Sequence, residues 1–138
     1  MSDQAGRNAA LEFHDSCLAD IREVGDDLEI VIAPAIVHRS DGDPAEDSST
    51  CWSQESLLLL RGGTIRGPNP ELPRGISDGT VRVDDREYRN VVPAPLSHSG
   101  PALIHFDLDD GSGITIAASG VELTLRGNPT FLEAFGDV

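Results

Sequence analysis

The groups best suited to chemistry gather at two places that a single turn could unite: His14-Asp15-Ser16 and His38-Arg39. Consecutive residues on an extended chain point to alternate faces, so His14, Asp15 and Ser16 cannot make a nucleophile–base–acid triad among themselves. A turn at Gly25-Asp26 changes this, because it returns His38 to the start of the same hairpin. With Val24 and Asp27 closing the turn, His38 is expected opposite Phe13, and Asp15 diagonally across on the same face. A slip of one residue sets Asp15 directly opposite His38, and a slip of two pairs His14 with His38. An Asp–His pair at the edge of an apolar face is costly unless hydrogen-bonded, and burial beside a charge tunes proton affinity. Such a pair serves as a clasp on the hairpin's open end, as a ligand or metal site, or as a catalytic pair. The candidate ligand-binding set is His14, Asp15, His38, Arg39 and Trp52, with no catalytic residue assigned.

A metal at Asp15 and His38 needs another ligand, which His98, His105 or the loop at residues 41–47 could supply. His105 falls on the wet face of its strand and is the weakest recruit. The calcium-loop pattern fails from Asp41 onward, because its fifth position is Ala45, its sixth Glu46 and its twelfth Trp52. Cys17 and Cys51 fit no zinc spacing and are expected as two thiols. Trp52, the sole tryptophan, is either an anchor on a binding face or a plug in the core, the commoner role. The chain contains no lysine, which removes Schiff-base and P-loop chemistry. Gly62-Gly63 and Gly111-Ser112-Gly113 lack phosphate-loop spacing. No metal or cofactor is assigned.

Charge narrows the partners. The 24 acidic residues outnumber 10 basic ones, for a formal charge of −14. Phosphate backbones and anionic membranes repel such a chain, so neither nucleic acid nor membrane is expected. The acidity serves solvation, or steering toward a basic partner protein. No stretch approaches the roughly 18 apolar residues of a membrane span. The first ten residues also lack the basic start and apolar run of a secretory signal, so a cytoplasmic protein is expected.

The elements that must position these residues read as strands. Gly25-Asp26 suits a type II′ hairpin loop, in which glycine supplies the positive φ. Residues 13–24 and 27–38 then pair with Ile21 facing Ile30, Ala19 facing Ile32 and Arg22 facing Glu29. One face collects Phe13, Cys17, Ala19, Ile21, Ile30, Ile32 and Ile36. Leu57 to Leu60, stopped by Gly62-Gly63, reads as a strand buried on both faces. Residues 67–79 read as a proline-rich connector, and residues 80–83 and 88–92 as short strands around Asp84-Asp85. The final third reads as a three-stranded meander that turns near Asp110-Gly111 and Ser119-Gly120. Its buried face carries Ala102, Ile104, Phe106, Leu108, Ile114, Ile116, Val121, Leu123 and Leu125.

The fold class is therefore all-β: an antiparallel β-sandwich or partly open barrel of about seven to nine strands. One domain is expected over residues 11–138 behind a disordered tail at residues 1–10, with at most a short helical turn at residues 131–135. Phe13-His14-Asp15-Ser16, followed by a hairpin ending in Val37-His38, resembles small bacterial β-domain proteins over the first third of the chain. That resemblance implies no reaction. The expected function is a non-catalytic binding or protein-interaction module. One alternative is an immunity- or antitoxin-like inhibitor of a basic partner, and another is a small metal- or ligand-binding enzyme centred on Asp15 and His38. A sheet edge in the meander would permit a homodimer.

Overall fold

A computed structural model describes residues 8–40 and 49–135. The strands are β1 (Asn8–Glu12), β2 (Cys17–Val24), β3 (Asp27–Ser40), β4 (Ser49–Arg61), β5 (Thr64–Arg66), β6 (Arg74–Val83), β7 (Arg86–Arg89), β8 (Val91–Ala94), β9 (Leu96–Leu108) and β10 (Gly113–Phe135). All pair antiparallel. β2, β6, β9, β10, β4 and β3 follow one another around a ring that closes where β3 pairs back to β2. The β2–β6 seam is short, being Cys17 against Gly75 and Leu18 against Arg74. β1 and β8 extend the sheet from β3, β7 pairs with β6, and β5 pairs with β10. The result is the expected all-β, partly closed barrel, with ten strands among the described residues where about seven to nine were expected. Among the described residues no helix is long and apolar enough to cross a membrane.

The Gly25-Asp26 turn forms as its sequence dictates. Gly25 sits at φ 63°, and Val24 faces Asp27, Arg22 faces Glu29 and Ile21 faces Ile30. The register then shifts by one at Ala19, so Ile32 faces Leu18 rather than Ala19. Leu18 is fully buried in consequence. The strand expected over residues 13–24 breaks where Asp15 adopts φ 71°, a left-handed conformation that Asp tolerates better than most side chains. β1, which opens at Asn8 inside the expected tail, pairs with the second half of β3 instead.

Four further expectations are corrected. Ser119-Gly120 is not a turn: β10 runs straight through it with a register shift against β9. The buried positions change parity there, from Ile114 and Ile116 to Val121 and Leu123, which a turn and a bulge produce equally well. Residues 131–135 form no helical turn, because β10 continues through Phe135 paired with β4, Phe131 against Trp52 and, after a register shift, Glu133 against Cys51. Residues 74–79 are not connector; they belong to β6. The leucine run is buried on one face rather than two. Leu58 and Leu60 are enclosed, while Leu57 and Leu59 are half-buried on the outside of a single-layer wall.

The core fills the barrel from all sides. Phe13 and Phe106 meet edge to face, with centroids 5.1 Å apart, and neither is exposed. Burying each ring contributes about 1.5–3 kcal/mol, and the paired geometry adds about 0.5–1.5 kcal/mol. Both rings press on Gly79, where a Cβ would stand 2.8 Å from Phe13 and 2.9 Å from Phe106. Asn90, between β7 and β8, ties this centre to the wall at φ 65°. Its N–H donates to Gly79 O at 2.7 Å, and its carbonyl accepts from Phe13 N at 2.7 Å. Its Oδ1 accepts from His14 N at 2.8 Å.

Candidate functional site

The five nominated residues occupy three separate places. His38 lies opposite Ala10, not Phe13, because the break at Asp15 hands this half of β3 to β1. Its Nε2–H donates to the Glu12 carboxylate at 2.6 Å, and the two side chains are 16% and 25% exposed. The clasp across this end of β3 is thus Glu12–His38, not Asp15–His38. Asp15 instead stands 3.5 Å from His14 Nε2. His14 donates from Nδ1 to Ser77 O at 2.9 Å. That carbonyl, and then the Asp15 carboxylate, raise the His14 pKa above the ordinary imidazole value.

Arg39 and Trp52 belong to one end of the barrel interior. Arg39 Nη2 donates to Gln54 Oε1 at 2.5 Å, and Gln54 Nε2 donates to Gly127 O at 2.9 Å. Trp52 packs against the core cluster. Its indole N–H reaches Thr50 Oγ1 at 2.7 Å, and its ring meets Phe131 at 5.2 Å. His38 pairs with Cys51 and Val37 with Trp52, so His38 and Trp52 face opposite sides of the sheet. The acidic loop at residues 41–47, offered as a source of metal ligands, lies outside the described residues. Among the described residues no three His, Cys, Asp or Glu side chains gather in metal-holding geometry. Cys17 and Cys51 are both thiols.

His105 stands on the outer face, as its alternation required. It lies between Thr115 Oγ1 at 2.7 Å and Asp107 Oδ1 at 2.8 Å. If the carboxylate holds the Nε2–H, Nδ1 is left to accept the threonine proton, which is the connectivity of an activated hydroxyl. His105 and Asp107 are, however, 41% and 58% exposed, so water competes for each bond and screens the charge.

A more sheltered arrangement arises where β9 outruns its neighbour. β6 pairs with β9 as far as Val83 against Ala102, then turns back at Asp84-Asp85 into β7. Residues 96–99 of β9 continue past that tip and pair with β10, and no described strand pairs with their other edge. A cleft of about 560 Å³ opens there, lined by Val83, Asp84, Asp85, Arg86, Tyr88, Leu96, Ser97 and His98. Leu96 and His98 lie opposite Leu123 and Val121, both enclosed, so this cleft sits on the inner face. The His98 side chain is 19% exposed and its Nε2 stands 3.6 Å from Asp84 Oδ2; that nitrogen is buried with no hydrogen-bond partner. Arg86 lies over the Tyr88 ring and donates to its hydroxyl at 3.1 Å.

A second cleft of about 710 Å³ lies on the outer face of the same tip. Arg66, Arg82, Pro101, Leu103 and Ala117 line it, again with Asp84 and Asp85. The sequence marked Asp84-Asp85 as a turn and His98 as a spare metal ligand, and gave no sign that they meet. Their approach depends on the path of β7 and β8 between them, which no local spacing encodes. Comparison with protein-family models, with curated proteins and with solved structures returned no match.

Proposed function

We propose that this chain is a non-catalytic interaction module for a basic protein, and that the partner docks around the Asp84-Asp85 tip. The observation that carries this reading is the pair of clefts sharing one acidic wall. Asp84 is 67% exposed, and among the described residues no arginine lies within ion-pair distance of Asp84 or Asp85. Of the arginines lining the two clefts, Arg82 pairs with Glu87 at 2.9 Å and Arg86 bonds Tyr88, while Arg66 lines the outer cleft only. A formal charge of −14 adds long-range attraction, which raises association rates with a basic partner.

The enzymatic alternative draws less support, because Asp15 and His38 hold other partners and the His105 chain stands in open water. An immunity- or antitoxin-like inhibitor, working in the cytoplasm on a basic enzyme, is the concrete form of the proposal. The test compares low-salt pull-downs by the wild-type chain and by an Asp84→Asn, Asp85→Asn double variant. Basic proteins held by the first and released by the second support the reading. Equal retention by both, or capture of acidic and neutral proteins alone, overturns it.

A further inference from the structure

We infer that the partner enters as an extended, lysine- or arginine-bearing segment that adds a strand to the β9 edge at residues 96–99. The inference rests on the interaction role proposed above and names the mode of recognition. β9 is paired on both sides along its second half, by β6 and β10, but at residues 96–99 by β10 alone among the described strands. An unpaired edge presents backbone N–H and C=O groups to any extended chain. Natural edges are commonly blocked by proline, and here Pro95 and Pro101 bracket the window, confining an added strand to one short register.

The two clefts supply what the side chains of such a strand require. Residues of an added strand point alternately to the two faces of the sheet. One set would enter the inner cleft against Tyr88, Leu96 and His98. The other would lie on the outer face, on the side of the cleft lined by Leu103 and Ala117. The acidic tip walls both clefts, but Arg66 and Arg82 share the outer one, so the inner-facing positions are the ones that favour a cationic side chain. At the inner cleft His98 stands beside the tip, its Nε2 3.6 Å from Asp84 Oδ2. Charge complementarity selects the occupant: a chain at −14 disfavours an acidic segment and attracts a basic one.

The probe is a short peptide of alternating lysine and valine, titrated against the isotope-labelled full chain at low salt. Its controls are the same peptide N-methylated at alternate backbone positions, and a glutamate–valine analogue. Expected results are amide shifts at residues 96–99, affinity about tenfold weaker for the N-methylated peptide, and no binding of the acidic one. Asp84→Asn with Asp85→Asn should weaken binding about fivefold while leaving the unfolding midpoint unchanged, since both residues lie in an exposed turn.

Equal affinity of the N-methylated peptide overturns strand addition but leaves the interaction role standing. So does the absence of shifts at residues 96–99 when the pull-down still distinguishes wild type from double variant. Concentration-dependent shifts there that the peptide does not displace would assign the edge to a second copy of this chain, and overturn the inference. Failure of both the peptide and the pull-down removes the inference and the reading together.

Discussion

Asn90 offers the sharpest test of how the wall beside the clefts is held. It occupies φ 65° while joining Gly79 and Phe13 through its backbone and His14 through Oδ1. Asn90→Ala removes the Oδ1 acceptor, worth about 0.5–1.5 kcal/mol net, and places a side chain that cannot compensate locally in the left-handed region, at about 1–2 kcal/mol. The expected loss is about 2–3 kcal/mol. Asn90→Gly keeps the backbone conformation at no steric cost; its gain there is offset by the added freedom of the unfolded chain, leaving about 1 kcal/mol for the lost bond. Asn90→Asp retains both acceptor and left-handed tolerance and should cost least. With a urea dependence of about 2 kcal/mol per molar, the alanine midpoint should fall by about 1 M and the glycine midpoint by about half that. An alanine variant as stable as wild type, or a glycine variant less stable than alanine, would refute the claim that backbone conformation at residue 90 sets the joint.

Gly79→Ala forces a methyl group against the buried Phe13 and Phe106 rings and should cost about 1–3 kcal/mol in chemical denaturation. Ser16 is 1% exposed; its hydroxyl donates to Glu12 O at 2.5 Å and accepts from Ile36 N at 2.9 Å. Ser16→Ala therefore strands a backbone donor and should cost about 1–3 kcal/mol by the same measurement. The His14 imidazole should titrate above its ordinary value of 6.5 in NMR, chiefly through the Ser77 carbonyl and secondarily through Asp15. Because its folded pKa is the higher one, its contribution to stability is complete below the unfolded value and is lost as pH rises through the folded value. A His14 titration at or below 6.5 contradicts that assignment, and Asp15→Asn should lower the titration point without abolishing the shift.

Residue periodicity alone determined the all-β class, the Gly25-Asp26 hairpin with Arg22 against Glu29, and the buried sides of β9 and β10. Alternation between apolar and polar residues has a period of two, and a II′ turn needs its glycine; both signals are local. The sequence also marked His105 as outward-facing, by the same alternation. What it could not set were the places where one extra residue enters a strand. A shift at Ala19, a left-handed Asp15 and the bulge at Ser119-Gly120 each change which residue faces which, and each is decided by the strand on the other side. That is why His38 meets Glu12 rather than Asp15, and why β10 continues where a turn was equally consistent with the pattern. The meeting of Asp84 with His98, and the unpaired stretch of β9 beside them, come from β6 ending before its neighbour does. Strand length against a partner is a property of the assembled sheet, so tertiary structure alone placed the clefts.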